Sequence, residues 1–263
     1  MTVVTISGRQ WILGDLLGDG GFGQVYAAQT NGEHAAIKIV PKAPGANREL
    51  LLAGDLTSVQ QVVPVLGIGE TADSWCILMP KADESLDKFL KELNRPLNIL
   101  EALPILLDIA TALVGISEKG VVHRDLKPAN VLHLHGTWCL SDFGVSRYAE
   151  ASTSPETRKY SFTPSYAAPE QWLHAHATSV TDVYALGIII CQLLTGKLPF
   201  PGPDIPDFRE QHLQRTAPLL EAGPVLLRHL AAECLYKAPQ ARPQPGEVFK
   251  QLMAIDGPQA ASP

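Results

Sequence analysis

The loop sequence HRDLKPAN at residues 123–130, followed by DFG at 142–144, constrains this chain more than any other feature. It supplies two carboxylates (Asp125 and Asp142), an ammonium group (Lys127) and an amide (Asn130) within one short segment. Phosphoryl transfer needs a carboxylate to accept the hydroxyl proton, a cation on the phosphate and oxygen ligands for Mg2+. The alternative is an ordinary polar loop, in which Asp and Asn cap turns and a proline sets the bend. The order of the other motifs along the chain decides between the two.

Composition bounds the class of protein. The 263 residues are 46% hydrophobic and 18% charged, enough to bury a large core. A formal net charge of -6, without a long Lys/Arg run, argues against nucleic acid as the main partner. The four cysteines contain no CxxC pair, so we expect neither a disulfide framework nor a zinc site, and a reducing cytoplasmic location. The start, MTVVTISGRQ, lacks the features of a signal peptide, and the longest apolar run, 183–194, is too short to span a bilayer.

The hydrophobic pattern changes at Pro80. Before it, three antiparallel strands are predicted between residues 10 and 40, two more in VVPVLGIGE and SWCILMP, and a helix in NRELLLAG at 47–54. After it, helical spacing dominates, in SLDKFLKEL, 99–119, 180–195 and 225–235. We therefore predict an α+β fold. A small β-rich N-terminal lobe with one helix covers about 10–80, a polar hinge 81–85, and a larger α-helical lobe about 86–253, before a frayed tail at 254–263.

The glycine-rich stretch GDGGFG at 18–23 is compatible with two kinds of nucleotide site. A dinucleotide-binding fold would follow the last glycine with a helix. Here QVYAAQT leads through Asn31 and Gly32 into a second strand, which favours a strand, turn and strand arrangement. Glycines in such a turn let the backbone lie close over phosphates.

These motifs occur in the order typical of the eukaryotic-type (Hanks-type) serine/threonine protein kinase family, which the chain resembles from Trp11 to Met253. The motifs that carry the resemblance are GDGGFG, AAIK, HRDLKPAN, DFG and, at 168–170, APE. The resemblance implies one bilobal kinase domain that transfers the ATP γ-phosphate to Ser/Thr hydroxyls of proteins, with autophosphorylation in the activation segment. The implied cofactors are ATP and Mg2+, with Mn2+ as an alternative. Protein substrates are the implied partners, without nucleic acid or a membrane span, and the oligomeric state stays open.

The resemblance also implies a nucleotide site. Lys38 would pair with the phosphates and be fixed by the helix carboxylate Glu49. The eleven-residue separation between them is short for the family, so a trimmed helix or a shortened connection before it is expected. Ala53, one turn further on, is a second departure, since kinases usually have a larger apolar side chain there. Pro80 lacks an N–H, but the first hinge position needs only a carbonyl, and Ala82 can supply the donor. The remaining residues implied to hold the nucleotide are Leu17, Gly18, Gly20, Gly21, Gly23, Val25, Ala36, Met79 and Leu132.

For catalysis, the resemblance implies Asp125 as the base or orienting group, Lys127 on the γ-phosphate, and Asn130 with Asp142 as metal ligands. Thr163 is expected beside Asp125 and Lys127, as in Ser/Thr kinases. Two scaffold contacts are implied as well, a Glu170–Arg242 ion pair and a bond from Asp182 to the backbone of the catalytic loop.

Regulation is implied by Arg124, which precedes the catalytic aspartate and in such kinases meets a phosphate in the activation segment. The candidate acceptors are Ser152, Thr153, Ser154, Thr157 and Ser161. We favour Thr157, with Arg158 and Lys159 as further phosphate contacts, against the alternative of a plain polar loop.

Two other functions stay open at this point. A pseudokinase scaffold is countered by retention of the catalytic residues, although the short spacing to Glu49 keeps it possible. A small-molecule kinase is countered by the APE segment and Thr163. Ala129 occupies a position where an acidic residue would indicate basic substrates, so peptide preference is not predicted.

Overall fold

The computed structural model describes residues 2–20, 23–42, 55–143, 147–148 and 162–256. The strands are β1 Val3–Ile6, β2 Arg9–Gly20, β3 Gly23–Thr30, β4 Glu33–Pro41, β5 Gly67–Glu70, β6 Ser74–Met79, β7 Glu84–Ser85, β8 Val121–Val122, β9 Val131–Leu134, β10 Thr137–Leu140 and β11 Arg147–Tyr148. The helices are α1 Leu86–Leu93, α2 Ile99–Glu118, α3 Pro169–Trp172, α4 Ser179–Thr195, α5 Ile205–Gln214, α6 Val225–Cys234 and α7 Pro245–Asp256. Buried apolar side chains form one cluster among the N-terminal strands and a second among the helices. The predicted α+β class, with a β-rich lobe followed by a helical lobe, is confirmed.

The N-terminal lobe is a six-stranded antiparallel sheet in the order β1-β2-β3-β4-β6-β5. The predicted start of this lobe at about residue 10 was wrong, because β1 precedes it. Val4 and Ile6 alternate into the core beside Trp11. The turn between β1 and β2 uses Ser7 and Gly8, with φ of 52° and 76°, the left-handed conformation that tight hairpins need.

The strand predicted for VVPVLGIGE is shorter in the structure. Only Gly67–Glu70 pairs with β6. Residues before it run towards the C-terminal lobe, where Val62 bridges Leu140 and the Val63 amide donates to the Leu140 carbonyl at 2.8 Å. Pro64 has no N–H for a ladder, which explains why the regular strand does not extend through this stretch.

The hinge is fastened to the C-terminal lobe. β7 pairs Glu84 with His133 and Ser85 with Leu132, and the Asp83 amide donates to the His133 carbonyl at 3.0 Å. Ser85 then caps α1 by accepting from the Lys88 amide at 3.2 Å. The strand β9 therefore lies directly against the hinge.

The C-terminal lobe is built around α4, which is buried along almost its whole length. Helix α2 has the length and mean hydropathy (2.0) of a membrane span, but half of that window is buried and α2 packs against α4, α7 and β10 as a core helix. The predicted tail at 254–263 began too early, because α7 continues to Asp256 and Ile255 is buried in the core. Residues 257–263 lie outside the described residues.

Candidate active site

The catalytic loop is held by a buried carboxylate at the start of α4. Asp182 accepts hydrogen bonds from the backbone amides of His123 and Arg124, each at 2.8 Å. The predicted contact is thereby confirmed. Arg124 has a φ of 71°, a left-handed backbone that costs a non-glycine residue roughly 1–3 kcal/mol. Burial raises the pKa of Asp182, and the nearby His123 and the two amide bonds act against that rise.

The His123 side chain links the catalytic loop to the DFG segment. Its Nδ1 accepts from the Asp125 amide at 3.3 Å, so Nε2 carries the proton and donates to the Ser141 carbonyl at 2.9 Å. The ring also packs against Phe143, with centroids 4.8 Å apart. Sequence reasoning gave His123 no role, although its place at the head of HRD was the available signal.

Asp125, Lys127 and Thr163 form one compact polar group. One carboxylate oxygen of Asp125 accepts from the Thr163 amide at 2.9 Å and from the Thr163 hydroxyl at 2.7 Å. The other accepts from Lys127 Nζ at 2.7 Å, and the same ammonium donates to the Thr163 hydroxyl at 2.8 Å. The predicted position of Thr163 beside Asp125 and Lys127 is confirmed. This group leaves a carboxylate and a cation side by side where an acceptor hydroxyl could meet a phosphate.

Asn130 and Asp142 lie on adjacent backbone segments. The Ser141 amide donates to the Asn130 carbonyl at 2.9 Å. The Asn130 side-chain nitrogen donates to the Asp125 carbonyl at 2.8 Å, so its amide oxygen is the atom suited to a metal. Within the described residues, no group of three or more His, Cys, Asp or Glu side chains could hold a metal. Two oxygen ligands suit Mg2+, which usually keeps waters and takes substrate phosphates.

Lys38 contacts Asp142 across the cleft between the lobes. Its Nζ lies 2.7 Å from Asp142 Oδ1, and Lys38 is 5% exposed. A buried ammonium needs such a carboxylate, because an uncompensated charge in the interior is costly. The sequence predicted Glu49 as the partner of Lys38. Glu49 lies outside the described residues, so that pair remains a prediction, and the Asp142 contact was not foreseen.

The predicted adenine residues share one face of the N-terminal sheet. Val25 lies directly opposite Lys38 in the β3–β4 ladder, and Ala36 lies opposite Met79 in the β4–β6 ladder. Opposite residues project to the same face, as do alternate residues such as Ala36 and Lys38. The other predicted residues, Pro80, Ala82 and Leu132, sit in or against the hinge. The apolar face therefore runs from the hinge to the lysine.

The glycines of the turn at 18–23 fall into two groups, one required by the backbone and one with open space above it. Gly23 has a φ of 135°, and a Cβ there would lie 2.3 Å from the Ile39 carbonyl oxygen, so the fold itself requires glycine. At Gly18 and Gly20 a Cβ would meet nothing within 4 Å. Free space above an unstrained backbone fits a ligand that approaches closely, such as a phosphate. Leu17 is half-exposed beside this turn, and Gly21 lies outside the described residues.

A buried ion pair supports the APE segment. Arg242 makes two parallel bonds to Glu170, at 2.7 and 2.8 Å, and donates to the Val180 carbonyl at 3.0 Å. The Thr181 hydroxyl also donates to Glu170, at 2.8 Å. The predicted Glu170–Arg242 pair is confirmed. Gln171, which sequence reasoning did not single out, donates to the Arg124 carbonyl at 2.7 Å and so joins this segment to the catalytic loop.

Several predictions fall outside the described residues. They are the helix at 47–54 with Ala53, the acceptors Ser152, Thr153, Ser154, Thr157 and Ser161, and the phosphate contacts Arg158 and Lys159.

Comparison with known proteins gives consistent matches. A family model for the protein kinase domain matches residues 11–253. The chain is 33% identical over 261 residues to the serine/threonine-protein kinase pkn2 of Myxococcus xanthus, covering 90% of this chain and 31% of that protein. It is 31% identical over 275 residues to the serine/threonine-protein kinase PkaA of Streptomyces coelicolor, covering 94% and 50%. It is 33% identical over 223 residues to the serine/threonine-protein kinase PrkC of Bacillus subtilis, covering 81% and 34%. The chain spans half or less of the length of these relatives.

Proposed function

The chain belongs to the protein kinase domain family, and on that premise we propose that it transfers the γ-phosphate of ATP to serine and threonine hydroxyls of proteins. The observation that carries the proposal is the group formed by Asp125, Lys127 and Thr163, in which each side chain bonds the other two. The similar serine/threonine-protein kinases from three bacteria support the same reaction.

In this proposal Asp125 orients the acceptor hydroxyl and receives its proton. Its carboxylate is held by Thr163 and Lys127, so it needs no reorganisation when the hydroxyl arrives. The Lys127 ammonium, within the same group, offsets negative charge on the transferring phosphate. Preorganised charges of this kind are commonly the largest contribution to catalysis.

We propose that Lys38 and the glycine turn bind the ATP phosphates. The lysine is buried at the end of the apolar face formed by Val25, Ala36 and Met79, where the adenine would lie. Open space above Gly18 and Gly20 supports a close approach of the phosphates.

Asn130 and Asp142 would hold the divalent cation, for which we propose Mg2+, with Mn2+ as an alternative. When bound, the ion would supply positive charge that offsets the negative charge of the phosphates. The chain's own contribution is to fix the two oxygens. Asn130 is held through Asp125, and Asp142 through Lys38.

We also propose that the protein phosphorylates its own activation segment, with Thr157 as the favoured acceptor. Phosphopeptide mapping should place label on Thr157, and label found exclusively elsewhere would contradict that choice.

We further propose that the protein works in a reducing cytoplasm. The four cysteines are free and buried, as expected for thiols that need no oxidising compartment.

The experiment that tests the proposed function is transfer of labelled phosphate from ATP, with Mg2+, to a generic basic protein. Wild type is compared with Asp125→Asn and with the matched control Asp73→Asn, an exposed carboxylate in the turn before β6. Loss of the base should lower the rate by about 10²- to 10⁴-fold, while the control keeps the wild-type rate. Label on Ser or Thr that disappears in Asp125→Asn supports the proposal. ATP binding by wild type without transfer would overturn it in favour of a nucleotide-binding scaffold.

A further inference from the structure

A second polar cluster lies next to residues 162–167, the segment that contains Thr163. It consists of Tyr184 from α4, His212 from α5 and Lys237 from the loop after α6. Tyr184 and His212 are completely buried, and their hydroxyl oxygen and Nδ1 atoms are 3.0 Å apart. Lys237 Nζ lies 3.2 Å from the same hydroxyl. We refer to these three residues as the Tyr–His–Lys cluster.

The surroundings of the cluster are aromatic. The His212 ring lies 5.0 Å from Phe200 and 6.3 Å from Trp172, and Lys237 Nζ lies 4.2 Å over the Phe200 ring. Burial, reinforced by the charge of Lys237, lowers the pKa of His212 to about 3, so the ring is neutral. A buried polar group in such surroundings is costly unless it is hydrogen-bonded. The hydrogen bonds that join the three side chains offset this cost.

The hydrogen bonds run in one direction. An ammonium group only donates, so Lys237 donates to the Tyr184 hydroxyl. The hydroxyl in turn donates a hydrogen bond to His212 Nδ1, so the hydrogen of the neutral ring lies on Nε2. Nε2 makes no hydrogen bond within the described residues. Helix α5, which carries His212, packs against the turn Pro164–Tyr166, so the cluster lies next to that turn.

Residues 162–167, which we call the acceptor segment, lie between this cluster and the catalytic group. On one side Thr163 is bonded to Asp125. On the other, α5 packs against the turn Pro164–Tyr166, and Phe162 packs edge-on against Trp172 with centroids 5.0 Å apart. Because Thr163 belongs to this segment and is bonded to Asp125, a protein whose hydroxyl reaches Asp125 would lie beside the segment.

We propose that Tyr184, His212 and Lys237 are positioning residues that hold the acceptor segment in the conformation that receives the protein substrate. The inference rests on the proposed function. None of the three touches the catalytic carboxylate in the contacts described above, so they act through the segment. A phenylalanine at 184 would fill the same space without a buried hydroxyl, and the hydroxyl is what joins the other two side chains.

Tyr184→Phe is the direct test, because it deletes one hydroxyl and keeps the ring that packs against Arg242. The matched control is Thr111→Val, which deletes a hydroxyl bonded to the Leu107 carbonyl in α2, within the same lobe. Loss of a buried hydrogen bond should raise the KM for the protein acceptor about fivefold. The KM for ATP should stay within twofold of wild type, on the order of measurement scatter. An unchanged acceptor KM, or an equal rise in both KM values, would overturn the proposal.

Lys237→Met is the second variant, because it keeps the aliphatic stem over Phe200 and removes the ammonium. It should reproduce the rise in acceptor KM. A variant that melts earlier but leaves the acceptor KM unchanged would assign Lys237 to stability alone and contradict the proposal for that residue.

A readout independent of phosphate transfer separates this inference from the proposed function. Amide hydrogen exchange over residues 162–167 should be faster in Tyr184→Phe than in wild type, and unchanged in Thr111→Val. Absence of transfer by wild type would defeat the proposed function while the exchange result still decides the positioning role. Equal exchange in wild type and Tyr184→Phe would overturn the inference even if the enzyme is active.

Discussion

Acidification should destabilise this protein through His212. The pKa of this buried ring is lowered from 6.5 to about 3, first by burial and second by the charge of Lys237. The groups that face it are the Tyr184 hydroxyl, the Lys237 ammonium and the Ser165 backbone. Between the two pKa values the unfolded chain binds a proton that the folded chain does not. The contribution of His212 to the free energy of unfolding is therefore fully present above the pKa of the unfolded state, and it is lost as the pH falls through this window.

The magnitude follows from the two pKa values. At pH 7 about a quarter of the unfolded histidine is protonated, and at pH 5 nearly all of it, while the folded ring stays almost neutral. Integrating the proton difference between these pH values gives a loss of about 2 kcal/mol in the free energy of unfolding. Such a loss is a substantial share of the 5–15 kcal/mol of a typical domain, roughly a seventh or more.

Urea unfolding at pH 7 and pH 5 measures this loss in wild type, His212→Phe and the control His34→Gln. Phenylalanine keeps an aromatic ring in the cluster and removes the titrating group, whereas His34 is an exposed residue of β4. Carboxylates titrate in all three proteins, so their contribution cancels in the comparison. The pH dependence of wild type and His34→Gln should exceed that of His212→Phe by about 2 kcal/mol. Equal pH dependence in all three would refute the reasoning.

Three further outcomes follow from the active site and its support. Lys38→Met should lower phosphate transfer by about 10²-fold or more while the protein still melts cooperatively, and a wild-type rate would contradict the assigned role. Arg242→Met should cost about 3–5 kcal/mol in urea unfolding, because the buried Glu170 keeps its bond from Thr181 but loses its only described cationic partner. Adding Glu170→Met should recover part of the loss. Gly18→Ala should have the melting temperature of wild type but a higher KM for ATP. Gly23→Ala should have a lower melting temperature, because its Cβ would lie 2.3 Å from a carbonyl oxygen. Equal melting temperatures for the two variants would count against this steric argument.

Contacts implied by the family resemblance could be predicted from the sequence. The resemblance carried by the motifs implied the contacts of Asp182 and Thr163 and the Glu170–Arg242 pair, and the structure contains all of them. The hairpin that adds β1 also had a local signal, since Ser7 and Gly8 separate two apolar stretches. It was missed because alternation in a strand of four residues is too short to stand out.

Contacts that depend on how elements pack could not be predicted. Lys38 and Asp142 are 104 positions apart, and their contact requires the two lobes to come together in this arrangement. The Tyr–His–Lys cluster likewise joins three elements, and nothing in the local sequence of α5 indicates that His212 is fully buried against Tyr184. Periodicity identifies a buried face, but the partner of a polar side chain within that face is decided by packing.

The placement of the catalytic carboxylates also shows how the core and the chemistry are coupled. Arg124 and Asp142 both have left-handed backbones, with φ of 71° and 61°, and each costs about 1–3 kcal/mol for a non-glycine residue. Two amide bonds to the buried Asp182 offset this cost at Arg124, and a bond to the buried Lys38 holds Asp142. Asp182 is fixed in turn because α4 is packed on nearly every side. Strained backbone persists only where its surroundings over-determine it. The loop that orients Asp125 therefore depends on α4, a helix that supplies none of the proposed nucleotide-binding residues. Substitutions that loosen the start of α4 should therefore lower the transfer rate before they unfold the lobe.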